Sequence, residues 1–278
     1  MARLADLPLG IYEKSVCMNQ SWEDKFKLIL DSGYDWFEIA IDGSEERLSR
    51  LNDRTEKLKI RRAAEALDMT LYTMAFTANR YFPLGSEDEA IRLRGIELLN
   101  SCIDFAATIG IRIIHIAAYD EVNHPSTIMT AALFRQSIEE CVNHAAKRGV
   151  VVAFETMDSR FMDCTRKIME FVHAFDSPWL QAVSDIGNIT AMGNNPVTDI
   201  PTGGRHVVAI HIKDTIPTEL RRIPFGQGTV DFDACFKTLS DLQYQGFLVA
   251  EMWCWENPSF HPYIKTARDF LKARMADY

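Results

Sequence analysis

The chain has 278 residues, of which 47% are hydrophobic and 25% are charged, and its formal net charge is -9. This composition is that of an ordinary globular protein and excludes long disordered stretches. The acidic balance argues against nucleic acid as the main partner, because binding to phosphate backbones depends on an excess of lysine and arginine. No run approaches the roughly 20 apolar residues of a membrane helix, so no membrane partner is expected either.

The length fits a single α/β barrel, because such barrels often reach roughly 250 residues as one domain. We therefore expect one domain over residues 1–278. The six cysteines are scattered without a CxxC pair, so neither a disulfide framework nor a zinc knuckle is indicated. The amino-terminal MARLADLPLG lacks the apolar centre of a signal peptide, and a cytoplasmic protein is expected.

Eight short apolar segments predict buried β-strands along the whole chain, and segments with helical periodicity lie between them. The predicted strands cover residues 9–13, 36–41, 71–76, 111–117, 150–156, 180–186, 207–213 and 247–252. Gly33, Gly110 and Gly149 each follow a helical run and predict its end. Ser86 followed by Glu89 predicts a capping box at a helix start.

The strands IRIIHIAA and VVAIHIK are continuously apolar, which implies burial on both faces and a parallel sheet covered by helices. Eight such units favour a closed (β/α)8 TIM barrel, an α/β fold, over an open doubly wound sheet. The open sheet would also require a glycine-rich phosphate turn, and no GxGxxG or GxxxxGKS/T follows the first strand. A TIM barrel places its active site at the carboxyl ends of the strands.

Four acidic or histidine residues mark the ends of the last four predicted strands. Glu155, Asp185, His211 and Glu251 each follow an apolar run, about one βα unit apart. Buried charges need partners, and consecutive barrel strands would place these side chains side by side. Three carboxylates and one imidazole suit a single divalent ion such as Mn²⁺, Mg²⁺, Co²⁺ or Zn²⁺. The alternative is four unrelated residues paired with lysine, arginine or helix amino termini, but their recurrence at one register favours the metal site.

Other residues near the predicted strand ends have two interpretations each. His115 lies inside the fourth strand, where it either lines the pocket or is a core histidine. Lys213 either contacts a substrate oxygen or pairs with Asp214. Trp253 and Trp255 follow the eighth strand, where they form a wall of the pocket or pack against helices.

Arginines mark two loops where a sugar or phosphate group could bind. Arg80 follows the third strand and stands beside aromatic residues. Arg221 and Arg222 precede a pair of glycines after the seventh strand, and barrels frequently bind phosphate with the loops after strands seven and eight. The alternative interpretation is that this second loop is a mobile surface segment without a binding role.

Several motifs together resemble one family over nearly the whole chain. They are LGIYEK, RLSRL, RYFPLGSED, SDIGN, HIKDT, PFGQGTVDF and AEMW. The sequence is similar to the L-ribulose-5-phosphate 3-epimerases, also called L-xylulose-5-phosphate 3-epimerases, of the ascorbate-utilisation type. These belong to the xylose isomerase-like TIM barrel superfamily.

The resemblance implies one divalent metal ion held by Glu155, Asp185, His211 and Glu251, with Glu155 and Glu251 as the catalytic acid/base pair. Related free-ketose epimerases have a histidine three residues after the metal aspartate, where this chain has Asn188. The resemblance also implies a ketose phosphate as the small-molecule partner and a homodimer or higher homo-oligomer. The predicted substrate contacts are Arg80, His115, Asn188, Lys213 and Arg222.

The implied reaction interconverts L-ribulose 5-phosphate and L-xylulose 5-phosphate at C3, in pentose and L-ascorbate breakdown. One glutamate would remove the C3 proton and the other would return a proton to the opposite face, through an enediolate that the metal stabilises. The alternative is an aldose–ketose isomerase on the same metal site. A phosphodiesterase acting on abasic DNA would need more histidines and a basic groove, and a sugar-binding protein would not turn substrate over.

Overall fold

Eight parallel strands close into a barrel in the computed structural model, which describes residues 3–254 and 257–278. The described residues form ten strands, eight in the barrel and two, β8 and β9, in a separate hairpin. In chain order they are β1 (Leu9–Tyr12), β2 (Trp36–Ile41), β3 (Thr73–Phe76), β4 (Ile113–Ala117), β5 (Val151–Glu155), β6 (Leu180–Asp185), β7 (Val207–Ile212), β8 (Asp214–Ile216), β9 (Glu219–Ile223) and β10 (Phe247–Ala250). Strands β1 to β7 stand in chain order around the barrel, and β10 closes the ring between β7 and β1. The predicted strands and the TIM barrel are confirmed.

Helices follow the strands and cover the outside of the barrel. They are α1 (Trp22–Asp31), α2 (Glu45–Ser49), α3 (Arg54–Leu67), α4 (Glu89–Ile109), α5 (Ile128–Arg148), α6 (Thr165–Phe175), α7 (Ile186–Ala191), α8 (Pro196–Asp199), α9 (Phe232–Asp241) and α10 (His261–Met275). Within the described ranges, none of them combines the length and the apolar character needed to cross a bilayer.

The glycine signals for helix ends are confirmed, and one predicted helix start is wrong. Gly110 (φ 95°) and Gly149 (φ 67°) end α4 and α5 in the left-handed conformation, and Gly33 (φ 84°) follows α1. The predicted capping box does not form at Ser86. The N-cap of α4 is Asp88, whose carboxylate accepts hydrogen bonds from two backbone N–H groups of the first turn.

The alternation of side chains along each strand decides which residues reach the barrel interior. On β2, Phe37, Ile39 and Ile41 pack into the main hydrophobic core, which includes residues of the surrounding helices. Trp36 and Ala40 belong to a second cluster that joins β1, β2, β3 and β10 inside the barrel. The inward face also carries buried polar residues, among them Glu38 and His115, and these belong to the site described below.

A β-hairpin lies outside the barrel ring directly after β7. Strands β8 and β9 pair antiparallel. The carboxylate of Asp214 accepts hydrogen bonds from the backbone N–H groups of Gly226 (2.8 Å) and Gly228 (2.9 Å). These bonds hold the glycine turn, so the second arginine loop of the sequence is a hydrogen-bonded hairpin.

Candidate active site

Glu155, Asp185, His211 and Glu251 meet at the carboxyl end of the barrel. Strand β5 ends at Glu155, β6 ends at Asp185, His211 is the penultimate residue of β7, and Glu251 directly follows β10. Asp185 stands opposite His211 in the register of β6 and β7. One ligand atom from each of the four residues lies within 4.8 Å of the other three, and all four side chains are buried. We call this group the acidic cluster.

Hydrogen bonds and ion pairs connect the acidic cluster to Lys213. The Nδ1 of His211 lies 2.8 Å from Oε2 of Glu251 and 3.4 Å from Oε1 of Glu155. The Nζ of Lys213 lies 2.5 Å from Oδ2 of Asp185 and 3.4 Å from Oε1 of Glu251. Lys213 therefore pairs with members of the cluster and not with the aspartate that follows it.

The pKa values reflect the crowding of carboxylates. Burial raises the pKa of Asp185, and Glu251 and Glu155 raise it further against the opposing effect of Lys213. Burial would also raise the pKa of Glu251, but Lys213 and the hydrogen bond from His211 hold it below its ordinary value. For Lys213, burial is outweighed by the three carboxylates, and its pKa is raised. A protonated lysine thus balances part of the negative charge.

The amino terminus of α7 holds Asp185 in place. Its Oδ1 accepts hydrogen bonds from the backbone N–H groups of Gly187 (2.8 Å) and Asn188 (3.0 Å), where a carboxylate also complements the helix dipole. The backbone N–H of Asp185 donates to the hydroxyl of Thr156 (2.8 Å), and the amide of Asn188 donates to the carbonyl of Thr156 (2.9 Å). One carboxylate oxygen is therefore fixed by backbone, and the other faces the cluster.

The acidic cluster fits a divalent cation. Three carboxylates and one imidazole nitrogen form a donor set that hard and borderline divalent ions accept. Ligand atoms about 2.1 Å from one ion stand roughly 3 to 4 Å apart, and the four ligand atoms already lie within 4.8 Å of one another. Within the described residues, the three carboxylates contact Lys213 and the imidazoles of His115 and His211.

A cavity of about 550 Å³ opens at the mouth of the barrel beside the acidic cluster. Its size and mixed polar and aromatic walls suit a small polar molecule. Four of the predicted substrate contacts line it, namely Arg80, His115, Asn188 and Lys213. The fifth, Arg222, is exposed on β9 and is not among the lining residues.

Comparisons with known proteins identify the family. The model of the xylose isomerase-like TIM barrel family matches residues 26–274. The L-ribulose-5-phosphate 3-epimerase UlaE of Escherichia coli (strain K12 / DH10B) is 38% identical over 273 residues, which covers 97% of this chain and 95% of that protein. The chain belongs to the L-ribulose-5-phosphate 3-epimerases. UlaE of Salmonella heidelberg (strain SL476) shows the same identity and coverage. The resemblance seen in the motifs is confirmed, and the protein is an isomerase.

Solved structures share the fold of this epimerase. The crystal structure of D-allulose 3-epimerase from Methylomonas sp. in complex with D-allulose matches with a TM-score of 0.80 and 18% identity, over 96% of this chain and 97% of that one. A structure of L-ribulose 3-epimerase matches with a TM-score of 0.79 and 17% identity, over 98% and 95% of the two chains. At these low sequence identities, the structural similarity establishes the shared barrel fold alone.

An arginine pair lines one side of the cavity of this epimerase. Asp158 lies 3.5 Å from Arg80 and 3.3 Å from Arg221. The guanidinium of Arg80 also stands over the ring of Tyr119, 4.8 Å from its centroid. The sequence placed both Arg221 and Arg222 in the loop after the seventh strand, but Arg222 and not Arg221 was predicted as the substrate contact.

A second cationic pair lines the cavity as well. Asp42 lies 2.7 Å from Nζ of Lys14 and 3.1 Å from Nη1 of Arg47. Trp253 also lines the cavity, which agrees with its interpretation as a pocket wall, whereas Trp255 lies outside the described residues. The mouth of the epimerase thus presents two positively charged corners and an aromatic wall.

Sequence reasoning missed Glu38, which lies beneath the acidic cluster of the epimerase. Its Oε1 is 3.1 Å from Nε2 of His211, and its Oε2 is 3.1 Å from Nε2 of His115. His115 also shares a hydrogen bond of 3.2 Å with Glu155 through Nδ1. Burial would lower the pKa of His115, but Glu38 and Glu155 raise it to about 9. The sequence feature that could have identified Glu38 is that it is the one charged residue in the apolar strand WFEIAI.

Proposed function

We propose that the protein interconverts L-ribulose 5-phosphate and L-xylulose 5-phosphate by epimerisation at C3, with one bound divalent metal ion. One observation carries this proposal: Glu155 and Glu251 converge with Asp185 and His211 in a chain 38% identical to an L-ribulose-5-phosphate 3-epimerase. The metal would be Mn²⁺, Zn²⁺, Co²⁺ or Mg²⁺, since this donor set suits all four.

Glu155 and Glu251 are the proposed acid/base pair. They come from the ends of β5 and β10, with β6 and β7 between them in the barrel wall, so they approach a substrate from different sides. The ionised glutamate accepts the C3 proton, and the protonated one delivers a proton to the opposite face, which inverts C3. The bound cation would supply positive charge beside the enediolate oxygens. The two glutamates exchange roles when the reaction runs in reverse.

The remaining lining residues are proposed to hold the substrate. His115, Asn188 and Lys213 line the cavity beside the acidic cluster and are the proposed sugar contacts. The phosphate is proposed to bind Arg80 and Arg221, which converge on one aspartate and lie on the loops after the third and seventh barrel strands. Guanidinium groups suit phosphate because they donate two parallel hydrogen bonds.

Arg221→Met is expected to raise KM for L-ribulose 5-phosphate about tenfold or more, because a hydrogen bond to a charged group contributes about 1.5–3 kcal/mol. Steady-state kinetics with L-ribulose 5-phosphate and with unphosphorylated L-ribulose measures this effect, and the loss should be confined to the phosphorylated substrate. Arg222→Met is the matched comparison on the same strand. A loss in Arg222→Met as large as in Arg221→Met would contradict this placement of the phosphate.

The activity itself is tested with purified protein, Mn²⁺ and L-ribulose 5-phosphate in D₂O, with the products followed by NMR. L-Xylulose 5-phosphate carrying deuterium at C3 is the expected product. An aldose phosphate would support the second candidate, an aldose–ketose isomerase, since the same cluster can serve proton transfer between C1 and C2. A protein that yields neither product with any of the four metals would contradict both.

The family, the motifs and the composition support four further proposals. We propose one domain over residues 1–278, a homodimer or higher homo-oligomer, and a cytoplasmic location, with neither nucleic acid nor membrane as partner. Light scattering after size-exclusion chromatography gives the oligomeric state directly.

A further inference from the structure

Glu38 is a charged residue at the centre of a barrel strand, and no step of the proposed reaction uses it. Its side chain is 0% exposed. It shares the inward face of β2 with Trp36 and Ala40, because alternate residues of a strand point the same way. An ionised carboxylate in this position needs partners, since an unpaired buried charge is strongly destabilising.

The imidazoles of His115 and His211 both face Glu38 with Nε2. The Nε2 of His211 lies 3.1 Å from Oε1 and 3.5 Å from Oε2 of Glu38, and the Nε2 of His115 lies 3.1 Å from Oε2. The hydroxyl of Thr73 donates a hydrogen bond to the same carboxylate. The Nδ1 of His211 faces the other way, into the acidic cluster, 2.8 Å from Glu251.

We propose that Glu38 is a positioning residue that keeps the ring proton of His211 on Nε2 and so leaves Nδ1 available to the cation. The group that faces the second nitrogen of a histidine decides which nitrogen carries the proton. A carboxylate that accepts the outer N–H of a metal ligand also fixes the ring plane and makes the ligand nitrogen more basic. The inference rests on the metal site proposed above and extends it to a residue from the far wall of the barrel.

A second metal ion, bound by Glu38, His115 and His211, is the alternative explanation of these contacts. Ligand atoms of Glu38, His115 and His211 also lie within 4.8 Å of one another. However, the carboxylate of Glu38 already accepts the hydroxyl of Thr73. An ion on Nε2 would also require His211 to lose both ring protons while Nδ1 binds the first ion. One metal ion per chain is therefore expected.

The test compares the wild-type protein, Glu38→Gln and Thr73→Val after bound metal has been removed with a chelator. Calorimetric titration with Mn²⁺ gives the affinity, and elemental analysis gives the number of ions per chain. Glu38→Gln preserves the shape of the side chain but presents an amide instead of a carboxylate, and it is expected to weaken Mn²⁺ binding about 10- to 100-fold. Thr73→Val removes only the hydroxyl contact and should weaken binding much less, which controls for repacking in the same layer.

The outcomes separate this inference from the proposed function. Wild-type protein that binds one ion, with Glu38→Gln binding it equally well, would refute the role of Glu38 and leave the proposed function intact. Wild-type protein that binds none of the four metals would refute the metal site itself. Two ions per chain would overturn the inference in favour of the second metal site.

A second measurement uses the wild-type protein, so it tests the inference even if the variants do not fold. In protein with ¹⁵N-labelled histidine and bound Zn²⁺, long-range ¹H–¹⁵N couplings within the ring show which nitrogen carries the proton. His211 is expected to hold its proton on Nε2 and to bind the metal through Nδ1. A proton on Nδ1 would overturn the inference.

Discussion

Glutamine at either Glu155 or Glu251 is expected to lower kcat for epimerisation about a thousandfold or more. General acid or base catalysis by one positioned group contributes about 10²- to 10⁴-fold, and a two-base reaction needs both groups in every turnover. Glutamine preserves the size of the side chain and one oxygen, but it cannot accept or deliver the proton. Because an amide oxygen can still coordinate a cation, metal occupancy should fall less than activity.

Reactions in D₂O distinguish the two glutamates. Interconversion of the two ketose phosphates should stop in both variants, and residual exchange at C3 should involve only one epimer in each, since the remaining carboxylate reaches one face. Glu170→Gln is a matched control, because Glu170 is exposed on α6 and pairs with Arg166. It should retain the wild-type kcat. Undiminished exchange from both epimers in Glu155→Gln or Glu251→Gln would rule out the two-base scheme.

The barrel could be predicted from the sequence because its signals are local. Continuously apolar strands alternate with periodic helices, which restricts the fold to a sheet covered by helices on its outside. Glu155, Asp185, His211 and Glu251 each stand at the end of such a strand. Since barrels gather the carboxyl ends of their strands at one face, the four residues could be brought together without any knowledge of packing.

The partners of buried charged residues could not be predicted in this way, because they come from distant parts of the chain. Glu38 stands out in its strand, but its partners His115 and His211 come from β4 and β7. Glu13 is similar: it is fully buried and lies 2.8 Å from Arg50 on a distant part of the chain. A sequence shows that such a charge needs a partner. The partner itself is decided by tertiary packing.

The choice between two adjacent arginines shows a second limit. Arg221 and Arg222 are neighbours on β9, so their side chains point to opposite faces. The face that each residue takes depends on the register of the hairpin, in which Ile216 stands opposite Glu219. Asp214 holds the glycine turn beyond β9 through backbone hydrogen bonds. Neither the register nor these bonds can be read from the motif RRIPFGQG.

Removal of bound metal is expected to reduce epimerase activity to background and to lower Tm by several degrees. A ligand that binds only the folded chain stabilises it by about 2.7 kcal/mol at a free concentration of 100 times Kd. Among the described residues, the counter-charges that contact the buried carboxylates of the acidic cluster without the cation are Lys213 and the imidazoles of His115 and His211. Activity and thermal unfolding after chelation, and again after Mn²⁺, Zn²⁺, Co²⁺ or Mg²⁺ is added back, measure both effects.

Asp185→Asn is expected to weaken metal binding while leaving the fold intact. The amide can retain the oxygen that caps α7 through Gly187 and Asn188, while the oxygen that faces the acidic cluster becomes a nitrogen with no lone pair for a cation. Metal affinity is expected to fall by at least the 10- to 100-fold that loss of an outer-shell partner costs. Asp199→Asn is the control, because this buried aspartate caps α6 outside the cluster and should affect stability alone. Wild-type metal affinity in Asp185→Asn, or full activity in chelated protein, would mean that the four side chains form an ion-paired network with Lys213 and not a metal site.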